Sequence, residues 1–65
     1  MKFTRSALRR ERKRQNMTQA ELARRMNISR ALVCQVEKGW RKPYPKFIRE
    51  ASRVLGLDFV TDQVA

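Results

Sequence analysis

At 65 residues and 42% hydrophobic content the chain can fill one small core, since chains divide into separate cores only at several times this length. Against 6 Asp and Glu stand 16 Lys and Arg, and a net charge of +10 favours a polyanionic partner, nucleic acid or an anionic membrane. With no His and one Cys there is neither a four-ligand zinc set nor a disulfide framework, which predicts a cytoplasmic protein without a metal.

The elements that follow are helical throughout. Phe3-Thr4 ahead of Leu8 offers Thr4 as an N-cap, with Phe3 and Leu8 placed as a hydrophobic staple. A first helix is expected over about Arg5 to Gln15, with a meagre apolar stripe of Ala7 and Leu8. Its basic run, Arg9-Arg10-Glu11-Arg12-Lys13-Arg14, reads as a solvated face, the usual fate of charge runs. Thr18 with Glu21 makes a capping box, and Met17 and Leu22 sit where a staple closes. The second helix runs to Met26 with Leu22, Ala23 and Met26 on one face, and Asn27 suits a left-handed terminator. Ser29 is the next N-cap, and a third helix is expected from Arg30 to Lys38, stopped by Gly39. Pro45 fits the first turn of a fourth helix carrying Phe47, Ile48, Ala51, Val54 and Leu55, which Gly56 ends. For Leu57 to Ala65 the expectation is a final helical turn anchored by Leu57 and Phe59.

Residues 18–38 have the dimensions of a helix-turn-helix. Ala23 is small where the third helix approaches, and Ile28 is apolar in the turn. With Val33, Val36 and Glu37 facing inward, about 100° per residue puts Ala31, Cys34, Gln35 and Lys38 on the opposite side. That outer face is short-chained, polar and free of acids, as a face entering a major groove requires. An ordinary helical bundle with a solvated outer face is the alternative, and it leaves the charge without a reason.

Thr18-Gln19-Ala20-Glu21-Leu22-Ala23, then Asn27-Ile28-Ser29, then Val36-Glu37-Lys38-Gly39 and Pro43, resemble the helix-turn-helix of the Cro/cI-type (XRE family) repressors. The similarity covers roughly Leu8 to Phe59. It implies an all-α fold of four to five short helices, here a single domain over 1–65, whose third helix reads the major groove of double-stranded DNA. It also implies a transcriptional regulator, typically a repressor. Two positions depart from the pattern: Asn27 stands for the usual turn glycine, and Glu11 for the usual apolar residue ahead of the helix-1 arginine, which weakens the expected packing of the first helix.

Gln19 opens the second helix, where free N–H groups and the dipole favour a phosphate, and the resemblance assigns it that contact. Arg30 has a fork suited to guanine, with a phosphate grip as the alternative. Gln35, one turn on, can pair with adenine, and Ala31 either touches a thymine methyl or is a plain surface residue. Cys34 falls on the same base-facing side, and a redox role for so placed a thiol is the weaker reading. Lys38, Arg41 and Lys42 surround the end of the third helix as phosphate contacts, with a base contact open to Arg41. Trp40 is expected to pack on the fourth helix, or else to stack beside a phosphate or join a dimer contact. Glu37 sits at the unfavourable end of its helix dipole and needs a cation. The resemblance supplies Arg12, in a partly buried ion pair, and a loose pair with Arg41 or Lys42 is the alternative.

Catalysis is not expected, because no Ser has a His to activate it and the acids are scattered. Two Gly cannot make a glycine-rich phosphate loop, and no cofactor is implied. No apolar run approaches the roughly 20 residues of a membrane span, and no signal peptide is evident. The expected partner is a palindromic operator bound by a weak homodimer, or by a dimer formed on the DNA, with the protein on the nucleoid. A DNA-binding partner in a toxin–antitoxin or restriction-control system and a non-specific RNA or membrane-surface binder are the rival readings.

Overall fold

Each helix begins where a side chain or a proline relieves the unpaired N–H groups of a first turn. In a computed structural model describing residues 1–60, the helices are α1 (Arg5–Arg14), α2 (Gln19–Met26), α3 (Arg30–Glu37) and α4 (Pro45–Leu55). The hydroxyls of Thr4, Thr18 and Ser29 accept from the backbone N–H of Ala7 (2.9 Å), Glu21 (3.0 Å) and Leu32 (3.2 Å). Pro45 opens α4 and has no N–H to satisfy. The capping box at Thr18 is half of the expected one, because the Glu21 carboxylate is held by Arg24 (2.7 Å) and Arg25 (2.8 Å).

All four helices end on a left-handed residue: Asn16 (φ 60°), Asn27 (φ 64°), Gly39 (φ 80°) and Gly56 (φ 68°). The next residue then returns its N–H to the last turn: Met17 to Arg12 (3.1 Å), Ile28 to Ala23 (3.0 Å), Trp40 to Gln35 (2.9 Å) and Leu57 to Ser52 (3.0 Å). This closure satisfies carbonyls that a helix end leaves open and re-aims the chain toward the next element.

Leu8, Leu22, Val33, Val36 and Phe47 are fully buried at the centre, with Ala23 letting α2 and α3 approach closely. The first helix has few apolar residues to contribute, and polar contacts hold it in place. Glu11 and Arg12 are both buried. The Glu11 carboxylate receives Arg14 at 2.7 Å, which holds its carboxyl below the ordinary value. At the far end of α1 the Gln15 amide donates to the Leu55 carbonyl of α4 at 2.8 Å.

The expected final helical turn does not form over 57–60, and 61–65 lie outside the described residues. Lys2 and Val60 instead make a parallel bridge, with Phe3 donating to Val60 (3.2 Å) and Val60 to Met1 (2.8 Å). The reason is aromatic. Phe59 is buried edge-on against Phe3, ring centroids 4.9 Å apart, and Phe3 in turn meets Phe47 at 6.3 Å. In extended backbone Phe59 points in while its neighbours Asp58 and Val60 point out.

Candidate nucleic-acid interface

The eight residues of α3 have a core side, against which Leu32 also packs, and an outer side. Val33 and Val36 are buried, and the Glu37 side chain is 3% exposed. Arg30 and Ala31 are exposed, as is Lys38 at the helix end, while Cys34 and Gln35 are half-buried. No acidic residue lies on the outer side.

What fixes this orientation is a polar knot behind the helix. Arg12 of α1 meets Glu37 with two parallel hydrogen bonds, Nε to Oε2 at 2.7 Å and Nη2 to Oε1 at 2.9 Å. Its remaining nitrogen, Nη1, donates to the Met17 carbonyl at 2.7 Å. The Gln19 side-chain amide adds a hydrogen bond to Glu37 Oε1 at 3.1 Å. One carboxylate thereby joins α1, the start of α2 and the end of α3. Gln19 is half-buried, so its side chain is oriented from behind while its backbone N–H stays at the open helix start.

The charges are sorted in the same way. Every Glu is engaged by arginine: Glu11 by Arg10 and Arg14, Glu21 by Arg24 and Arg25, Glu37 by Arg12, and Glu50 by Arg53. Hydrogen bonds from Arg25 and Arg24 hold the Glu21 carboxyl below its ordinary value. Arg9, Lys13, Arg30, Lys38, Arg41 and Lys42 form no ion pair among the described residues, and all are exposed. Arg9, Lys13 and Lys38 line a cleft of about 260 Å³ with Arg12, Gln19 and Glu37. Arg41 and Lys42 line a second cleft with Arg5, Val36 and Gly39. The two clefts flank the C-terminal end of α3. Lys46 and Arg49 of α4 also have no acidic partner among the described residues but line neither cleft.

Arg9 and Lys13 were not among the expected site residues. Their signal was available: with Arg12 facing Glu37, helical spacing places residues three before and one after on the same flank of α1. Arg5 was also missed. Its Nη1 donates to the Lys38 carbonyl at 2.7 Å, and its guanidinium occupies the space that a Cβ on Gly39 would take. A cation there meets the negative end of the α3 dipole.

Trp40 does not pack on α4 as expected. The residue is 72% exposed, with the Lys38 ammonium 4.7 Å from the ring centroid. The loop leaves Gly39 in a direction set by the helix-end closure, and Tyr44, not Trp40, reaches the Phe47 ring of α4 at 5.9 Å. Cys34 is a free, half-buried thiol.

None of the described helices is long and apolar enough to cross a membrane. No curated protein matches the chain. A family model described as helix-turn-helix matches residues 8–61, from within α1 to beyond α4. The match spans the knot, the cleft beside Lys38 and the outer side of α3, and the chain belongs to the Cro/cI-type helix-turn-helix family of DNA-binding proteins.

Proposed function

We propose that this protein is a sequence-specific transcriptional regulator, acting as a repressor, that lays α3 in the major groove of a half-site. The observation that carries this reading is the acid-free outer side of α3 bordered by cations that have no acidic partner among the described residues. In this reading Arg30, Ala31, Cys34 and Gln35 face base edges. Gln19, Lys38, Arg41 and Lys42 hold phosphates, joined by Arg9 and Lys13 from α1. Base edges carry the sequence information, and phosphates fix register and supply most of the affinity.

The test is selection of bound duplexes from a random pool, followed by affinity measurement over a salt series. The expected product is a two-fold symmetric motif preferred over bulk DNA by roughly 10³ or more. With about 4–6 phosphate contacts per subunit, log affinity falls against log salt with a slope of about −4 to −5 per subunit. Binding without sequence preference would leave only a non-specific basic binder, and a slope near zero would remove the nucleic-acid reading.

A further inference from the structure

We propose that the Trp40 indole lies against the sugar–phosphate backbone of the bound duplex, a contact that rests on the DNA-binding reading above. The argument starts from the helix ends. In each of the four, the residue after the left-handed position is apolar, and in this type of closure its side chain ordinarily folds back on the helix it ends. Met17 is buried in the core, and Ile28 and Leu57 pack against it. Trp40 holds the same backbone position and bond, yet its ring turns out to solvent. The backbone of Trp40 is therefore fixed to the recognition helix while the largest side chain in the protein is left uncovered.

What covers it follows from charge. Lys38 lies over the ring face, and Arg41 and Lys42 follow directly in the chain, all three exposed. A second copy of the chain meeting this patch about a two-fold axis would set these cations against their own equivalents. A polyanion has no such conflict. Deoxyribose presents apolar C–H groups to the ring, the indole N–H has a phosphate oxygen as acceptor, and Lys38 stays beside the same phosphate. The contact adds affinity without sequence preference, since sugars and phosphates repeat at every step.

Trp40 is the only Trp of the chain, so its emission reports on this residue alone. The full chain is titrated with a duplex selected from a random pool and with a mixed-sequence duplex of equal length, while binding is followed independently by duplex anisotropy. The expected result is a change in Trp emission that tracks binding to both duplexes. Trp40→Ala is expected to weaken both by about tenfold, as removal of buried ring surface should, with their ratio unchanged. Trp40→Phe recovers part of the loss, and the melting temperature of either variant stays close to that of the parent. Emission unmoved at saturating duplex overturns the inference while leaving the DNA-binding reading intact. So does a Trp40→Ala chain that sediments as a different oligomer but binds each duplex unchanged. Failure of the parent chain to bind either duplex overturns the reading and the inference together.

Discussion

Arg12 directs its three donor nitrogens into two chain segments besides its own, and few side chains in so small a core have a comparable role. Its partner Glu37 is almost fully covered, and removing one member of a covered pair leaves the other charged without a partner. Arg12→Met or Glu37→Leu alone is expected to destabilise by about 3–5 kcal/mol, and the double variant to recover much of that loss. Urea unfolding of the four-member cycle checks this, and a coupling below about 0.5 kcal/mol would mean that the pair behaves as an exposed one. Side chains on the outer side of α3 call for another measurement. Gln35→Ala is expected to reduce the preference for the selected site by about 1–3 kcal/mol at one base pair, with little change in non-specific affinity. Lys42→Ala should lower both affinities together and reduce the salt slope by about 1. If Lys42→Ala changes the base preference and Gln35→Ala does not, the proposed orientation of α3 on DNA is wrong. Residues of this kind are legible in sequence in proportion to how local their geometry is. Helical spacing placed Val33, Val36 and Glu37 inward, but neither spacing nor charge told where Trp40 or Arg5 would point. Those directions depend on loops closing across the end of another helix.

At the scale of elements, punctuation governs. Thr18, Ser29, Asn27, Gly39 and Gly56 are short-range signals, and the helices begin and end at them. The 57–60 segment was not legible, because Leu57 and Phe59 two apart fit extended backbone only once Phe3 arrives from the other end of the chain. The two glycine terminators make a natural comparison. Gly56 has open space where a Cβ would stand, whereas at Gly39 that space holds the Arg5 guanidinium. Gly56→Ala is therefore expected to cost only left-handed backbone strain, about 1–2 kcal/mol. Gly39→Ala should cost distinctly more, and adding Arg5→Ala should remove little further stability once the guanidinium has been displaced. Thermal unfolding of the three variants separates strain from displacement. Equal losses at Gly39 and Gly56 would show that the Arg5 contact contributes nothing.

Over the whole molecule the excess of positive charge sets two dependences on solution conditions. Salt screens self-repulsion within the free chain and competes with DNA for the same cations. Raising it is expected to raise the melting temperature of the free protein while lowering its affinity for duplex, and differential scanning calorimetry beside a binding series reads both. Acid works in one direction only. Glu11 and Glu21 have carboxyls held below the ordinary value of 4.5 by their arginines. Their contribution to stability is complete above that pH and is lost as pH falls through the lower values of the folded state. Unfolding free energy measured from pH 7 to pH 3 should therefore decline only at the acid end, and a decline beginning near neutrality would contradict the assignment. Assembly belongs to this scale too. The free chain is expected to sediment as a monomer or weak dimer and to pair on DNA, with half-sites centred about 34 Å apart. A tight dimer at nanomolar concentration without DNA would exclude this. The carboxylate of Glu37, finally, serves two heredities at once. It anchors α1 through Arg12 and holds the Gln19 amide in the wall of a basic cleft. A genetic screen for lost DNA binding would return substitutions at Glu37 and Arg12 as readily as substitutions on the outer side of α3, although neither side chain is placed to touch a base. Suppressors of such alleles should arise within the knot, at Arg12, Glu37 or Gln19, and not among the base-facing residues.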